Sequence, residues 1–106
     1  MPKYLIQVSY TAEGAKGLQK DGGSKRKAVV ETMLKGLGGK LEAFYYAFGE
    51  SDVYAIADVP DTATAAAISL AINSAGAVRL KTTPLITVEE MDQASKKSVT
   101  YRPPGQ

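Results

Sequence analysis

The first apolar segment of the chain, Lys3 to Tyr10, predicts a β-strand. Its side chains divide between two faces at a period of two, and Tyr4, Ile6, Val8 and Tyr10 share one face. Since aliphatic and aromatic residues are frequent in strands, this segment is expected to be the first strand of a sheet.

Two further strands, Lys40 to Phe48 and Asp52 to Val59, are predicted on either side of a loop at Gly49 to Asp52. Glycine adopts positive φ values without steric cost, and Ser and Asp bond to nearby backbone, so this loop is typical of a β-hairpin. Neither strand alternates cleanly between apolar and polar residues, which indicates that both faces of the sheet are covered. A fourth strand is predicted over Val78 to Val88, at an edge or interrupted at Pro84, because proline lacks a backbone donor.

Apolar residues at helical spacing predict two main helices. The first begins at Ser24, a candidate N-cap, and ends at the glycine pair Gly38-Gly39. The second spans Thr62 to Ala75 and has Asp61 as its N-cap. The charged residues of the first helix fall mostly on the face opposite its apolar residues.

Two shorter helical segments are also predicted. Thr11 is a candidate N-cap for a helical turn that two glycines weaken. The sequence from Thr87 to Glu90 fits a capping box for a last helix over Val88 to Ser95. The polar segment from Lys96 to Gln106 is expected to be an exposed or disordered tail unless another chain holds it, so residues 1–95 are predicted to form a single domain.

The order strand-helix-strand-strand-helix-strand predicts an α+β fold of the ferredoxin-like type, a four-stranded antiparallel sheet with its helices on one face. The other face then needs a partner, and two sheets packed face to face would supply one. We therefore expect a homo-oligomer, at least a dimer through the sheet face. If Phe44, Tyr46, Phe48, Tyr54 and Ile56 form that face, they make a contiguous apolar patch.

Composition excludes several classes of site. The chain has no cysteine and no histidine, which removes disulfides, thiolate metal sites, the commonest general base and the usual haem ligand, so neither a cofactor nor a metal is expected. The net charge of +2 is too small to indicate nucleic acid. No apolar segment approaches the roughly 20 residues of a membrane span. The first residues lead into a strand without the apolar region of a signal peptide, so a cytoplasmic protein is expected.

Several short motifs follow one another along the chain: Tyr10-Thr11 with Gly14, Gly38-Gly39, Phe48-Gly49-Glu50-Ser51-Asp52, Pro60-Asp61, and Gly76-Ala77-Val78-Arg79 with Thr82-Thr83. In this order they resemble the GYD domain family, named for its Gly-Tyr-Asp loop, over about residues 2 to 91. The resemblance implies a small protein of the dimeric α/β barrel group with no established activity. Ser51 stands where the family usually has Tyr, which puts any role of that aromatic ring in question for this chain.

The same loop is similar to the ligand-binding domain of Lrp/AsnC-type regulators. That similarity implies a small-molecule site near the Gly49–Asp52 loop, between subunits. This chain has no DNA-binding helix-turn-helix, so it would be a stand-alone version of such a domain.

Asp52 and four tyrosines are the candidate ligand-binding residues. A carboxylate at the start of a strand can point into an interface cleft, although a side chain that bonds the Gly49–Ser51 backbone would explain Asp52 as well. Tyrosines can line a pocket because they join an apolar body to a polar tip, but packing in a core or interface is the more frequent reason for them. The four tyrosines are Tyr10, Tyr45, Tyr46 and Tyr54.

Two groups of basic residues have a simpler explanation than binding. Lys25-Arg26-Lys27 would fit a phosphate, but three basic residues without a flanking aromatic stack are typical of a solvated helix face. Arg79 and Lys81 would clamp an anion, but charges on an edge strand also discourage aggregation.

Two functions of different classes follow. The favoured one is an oligomeric module that binds a small molecule or acts as an interaction scaffold. The alternative is a cofactor-free enzyme, an isomerase or monooxygenase with an enclosed apolar pocket. A pocket that holds a carboxylate of perturbed pKa beside a tyrosine would favour the enzyme.

Overall fold

The computed structural model describes all 106 residues as an α+β fold with one four-stranded antiparallel sheet and four helices. The strands are β1 (Lys3–Tyr10), β2 (Lys40–Tyr46), β3 (Val53–Asp58) and β4 (Val78–Leu85). The helices are α1 (Ala12–Asp21), α2 (Gly23–Gly36), α3 (Thr62–Ala75) and α4 (Val88–Ser95). The strands lie in the order β2-β3-β1-β4, so β2 and β4 are the edges of the sheet.

The predicted hairpin is confirmed, since β2 and β3 pair antiparallel. Both strands are shorter than predicted, because the chain leaves the ladder after Tyr46 and returns at Val53. Two backbone hydrogen bonds hold the loop between them, one across its base and one to β1. The Ala47 amide donates to the Asp52 carbonyl oxygen (2.8 Å), and the Asp52 amide donates to the Val8 carbonyl oxygen of β1 (2.7 Å).

The core lies between the sheet and the helices α2 and α3, which pack on the same face. Burial along β3 alternates strictly, with every second residue from Val53 buried. Many of the buried side chains are small, which lets α3 lie close to the sheet. The central cluster consists of Tyr4, Leu34, Ala57, Val59, Ala65 and Ile68.

A β-bulge in β2 determines which of its side chains face the helices. The register shifts between Leu41 and Ala43, so Glu42 is an extra residue in the ladder. Beyond the bulge the two faces of the strand exchange. Phe44 therefore lines the space below the helices, and the Tyr46 hydroxyl bonds to the first residue of α2. The prediction that Phe44 and Tyr46 form part of an apolar patch on the face without helices was therefore wrong.

The opposite surface of the sheet, here called the open face, has no helix on it. Leu5 of β1 lies opposite Ile56 of β3, and Tyr45 of β2 lies opposite Tyr54 of β3. Tyr45 is 72% exposed, whereas the other three are half-buried. Phe48, the fifth residue of the predicted patch, lies in the hairpin loop and is fully exposed. The open face is thus apolar at its centre, but it is formed by a different set of residues from the one predicted.

The first two helices differ from the prediction. α1 is a helix of ten residues rather than a weak turn, and Thr11 caps it as predicted, its hydroxyl accepting the Gly14 amide (3.2 Å). α2 begins at Gly23, one residue before the expected N-cap Ser24. Gly22, with φ at 83°, turns the chain between the two helices in a conformation that favours glycine.

β4 is an edge strand that accommodates Pro84, one of the two arrangements predicted. The capping box of α4 is confirmed: the Glu90 amide donates to the Thr87 hydroxyl (3.1 Å), and the Thr87 amide donates to the Glu90 carboxylate (2.9 Å). None of the helices combines the length and the hydrophobicity needed to cross a bilayer.

The segment after β4, residues 86–106, is here called the C-terminal arm. Every residue from Thr83 to Gln106 is exposed, so the arm, including α4, covers no part of its own domain. The radius of gyration is 17.0 Å, against about 13 Å for a compact domain of about 100 residues. The chain is therefore more extended than a compact domain of its length.

Candidate functional site

An apolar cavity of about 200 Å³ lies between the sheet and the helices α2 and α3. It is smaller than the roughly 300–1,000 Å³ of pockets that hold drug-sized molecules, so it suits a smaller ligand. Nineteen of its 21 lining residues are hydrophobic. Each neighbouring element contributes at least one side chain, among them Ile6 and Val8 of β1, Val30 and Met33 of α2, and Ile68 and Ile72 of α3.

Two polar residues, Arg26 and Thr82, complete the lining. Thr82 is already paired, because its hydroxyl shares a hydrogen bond with the Ser69 hydroxyl (2.8 Å). Arg26, from the first turns of α2, is half-buried and forms no ion pair within the chain. Arg26 is therefore the one charged side chain of the lining, and no acidic side chain of the protein pairs with it.

Two tyrosines lie at the same end of the cavity as Arg26. Tyr10 lines the cavity, and Tyr46 donates its hydroxyl hydrogen to the Gly23 carbonyl oxygen (2.9 Å) and packs edge-on against Phe44, with ring centroids 5.2 Å apart. Burial raises the pKa of both phenols above the ordinary value, whereas the nearby Arg26 guanidinium lowers it. Because the net direction is upward, both phenols are neutral hydrogen-bond donors at neutral pH.

Asp52 fixes the end of β1. Its Oδ2 accepts the hydrogen of the Tyr10 amide (2.8 Å), and its own amide donates to β1 as well. The side chain thus bonds to the neighbouring strand rather than to the Gly49–Ser51 backbone of its own loop. Its negative charge also contributes to the raised pKa of the Tyr10 phenol. Asp52 positions Tyr10 at the end of the cavity and does not line the cavity itself.

The five predicted site residues fall into two groups. Asp52, Tyr10 and Tyr46 come together at the cavity end. Tyr45 and Tyr54 are opposite each other on the open face, on the other side of the sheet. No single small ligand held in the cavity can contact both groups within one chain.

Arg26 is the functional candidate that the sequence prediction assigned to solvent. The basic triplet Lys25-Arg26-Lys27 suggested a solvated face, and for its two lysines that is right, since both are exposed. The spacing contained the missing signal: Arg26 precedes Val30 by four residues and Met33 by seven, which places it on their face of the helix. The sequence prediction placed Arg26 on the solvated face only because arginine is charged, and it did not use this spacing.

A second, polar cleft of about 530 Å³ lies at the edge of the sheet near β4. It is lined by Arg79 and Lys81, the other predicted basic pair, together with Ser9 and Ser51. Ser51 is only 5% exposed. No group of three or more acidic side chains comes together that could hold a metal ion.

Two of the motifs meet at the start of β4. The Thr11 amide and hydroxyl both donate to the Ala77 carbonyl oxygen (3.1 and 3.0 Å). Gly14 faces the same oxygen, and a Cβ atom built on Gly14 would lie 1.9 Å from it. The glycine is therefore required so that α1 can approach the turn after α3. These residues join α1 to the sheet and have a structural role.

We compared the chain with known proteins. No curated protein and no solved structure matches it. The sequence profile of the GYD domain matches residues 4–95, nearly the whole of the folded part of the chain. The resemblance carried by the motifs is thereby confirmed, and the chain belongs to the GYD domain family.

Proposed function

We propose that this protein is a homo-oligomeric module that binds a small, largely apolar molecule in the cavity between the sheet and the helices α2 and α3. The cavity, with walls that are almost entirely apolar and with Arg26 and Tyr10 near each other in its lining, is the observation that carries the proposal. Ligand pockets combine an apolar lining with a few polar groups that set orientation. The expectation that a ligand contacts Asp52 or one of the four tyrosines stays a prediction, and this proposal meets it through Tyr10.

The alternative, a cofactor-free enzyme, gains no specific support. No carboxylate lines the cavity. Burial raises the pKa of the two phenols at its end. Both phenols are therefore neutral at neutral pH, and a neutral phenol with a raised pKa is a poor general acid and does not accept a proton as a base. Binding therefore accounts for the site with fewer assumptions than catalysis.

The proposal includes a ferredoxin-like fold and assembly as a dimeric α/β barrel. The strand order β2-β3-β1-β4 and the placement of α2 and α3 on one face support the first. The apolar centre of the open face supports the second, because burial against a second copy removes it from water. A cytoplasmic location completes the proposal and is tested by cell fractionation.

The proposal is tested by filling the cavity. Ala65 is buried and lines the cavity, whereas its neighbour Ala66 on α3 is exposed. We expect wild-type protein to bind octan-1-ol, a neutral apolar probe, and Ala65→Leu to weaken that binding about tenfold or more by occupying the space. Ala66→Leu is the matched control and should bind as wild type does. NMR titration measures the affinities.

A wild-type protein that binds neither octan-1-ol nor a related apolar probe would show that the cavity is only an imperfectly packed core. Equal affinities for both variants would place the binding site elsewhere. Melting temperatures of the two variants check that each is folded.

A further inference from the structure

The end of the cavity has one cation and no anion that neutralises it. The ion pairs of the chain involve Lys3, which bonds Asp58 and Glu42, and Lys25, which approaches Asp21. Arg26 takes part in none of them, although its side chain is half-buried at the rim of an apolar space. A partly desolvated charge is costly unless it is paired, so a bound anion would relieve that cost.

No carboxylate lies within ion-pair distance of Arg26. The Tyr10 phenol lines the same cavity and is neutral, because burial raises its pKa further above neutral pH. Asp52, the acidic residue on this side, has its carboxylate hydrogen-bonded to the Tyr10 amide and lies beyond ion-pair distance of Arg26. The site thus offers a guanidinium beside a neutral phenol, and the guanidinium, which has only donors and a positive charge, favours an anionic acceptor.

We infer that the ligand is a small organic acid, with its carboxylate bound by Arg26 at the rim and its apolar part inside the cavity. This inference rests on the proposed function and specifies its ligand. A guanidinium matches a carboxylate through two parallel hydrogen bonds, and a single positive charge balances a single negative one. A phosphate ester, with a larger charge, would require further cations that the cavity does not have.

The affinities of octanoate and octan-1-ol, which share the same chain length, test the inference. We expect wild-type protein to bind octanoate about tenfold more tightly, the ratio typical of one hydrogen-bonded charge pair. Arg26→Gln should remove this preference, because it weakens the binding of octanoate far more than that of the uncharged octan-1-ol. Lys27→Gln, which removes one positive charge from the exposed neighbouring position, should retain the preference.

The outcomes separate this inference from the function on which it rests. If wild-type protein binds octan-1-ol as tightly as octanoate, the carboxylate inference is wrong and the binding function stands. If neither probe binds, both fail. If Arg26→Gln does not fold, Arg26→Met, which keeps the apolar stem of the side chain, replaces it. An octanoate preference that survives either variant would assign the carboxylate to another residue.

Discussion

The Asp52 carboxylate has a structural task that can be measured. It accepts the Tyr10 amide hydrogen at the point where β1 ends. Asp52→Ala leaves that donor without its partner, and we expect the free energy of unfolding to fall by about 1–3 kcal/mol. Asp52→Asn retains an acceptor oxygen and should lose less. Urea denaturation of the three proteins measures the difference, and equal stability of wild type and Asp52→Ala would refute the assigned role.

The same pair of variants bears on ligand binding. If Asp52 is a ligand-binding residue, as the sequence predicts, Asp52→Asn should weaken binding, and this stays a prediction. The structure offers an indirect route for such an effect, since Asp52 holds Tyr10 and Tyr10 lines the cavity. An effect of that kind would reach octan-1-ol and octanoate alike, whereas Arg26→Gln should weaken octanoate far more than octan-1-ol.

The attachment of α1 to the start of β4 depends on the absence of a side chain at Gly14. A methyl group there would meet the Ala77 carbonyl oxygen at 1.9 Å, so the helix or the turn must move. We expect Gly14→Ala to destabilise the protein by about 1–3 kcal/mol, the usual cost of overpacking. Gly17→Ala, three residues later in the same helix, meets nothing within 4 Å. It should stabilise the protein by about 0.5–1 kcal/mol, because alanine favours helix over glycine.

Thermal and urea unfolding of these two glycine variants give the comparison directly. Opposite signs at the two positions would identify the contact with Ala77 as the cause. If both variants stabilise the helix equally, the close approach of α1 to the turn is not a constraint on the fold.

The elements of the fold could be predicted from the sequence, but the two faces of β2 could not. Apolar spacing and cap residues predicted the sequence of strands and helices along the chain. They also placed the last capping box at the correct residue, Thr87. A sequence pattern of period two does not reveal that Glu42 is an extra residue. After the bulge, each residue of β2 lies on the face opposite to the one that the pattern predicts. Phe44 and Tyr46 were misplaced for this reason alone.

The candidate site could be predicted only in part, and the reason is again physical. Tyr10, Tyr46 and Asp52 were named from residue chemistry, and the fold brings them together. The cavity itself results from the fit between sheet and helices, which no local pattern records. Arg26 was missed because a charge within a basic triplet indicates solvent, while its position relative to Val30 indicates the apolar side.

The whole molecule leaves two apolar surfaces uncovered. One is the centre of the open face, where Leu5 and Ile56 lie side by side. The other is the C-terminal arm, on which Val88, Met91 and Tyr101 are exposed. Monomers rarely expose several such groups together, so burial against another chain would remove them from water. Both surfaces favour the proposed assembly of identical copies.

The proposed dimer predicts a defined response to a charge on the open face. Ile56 lies opposite both Leu5 and Ala43 in the sheet, and therefore near the centre of the surface that a two-fold partner would cover. Burying about 250 Å² of apolar surface there contributes roughly 6 kcal/mol before the costs of association. Ile56→Lys should abolish this contribution, because an ammonium group facing its own symmetry mate would be desolvated and repelled.

Sedimentation at micromolar concentration measures the result. Wild-type protein should have twice the 11.2 kDa mass of one chain, and Ile56→Lys should sediment as a single chain with unchanged circular dichroism. Leu70→Lys is the matched control, since Leu70 is 73% exposed on α3, away from the open face. It should remain a dimer. A wild-type mass of 11.2 kDa would rule out the dimer. If Leu70→Lys dissociates the dimer and Ile56→Lys does not, the interface lies on the helical side of the sheet.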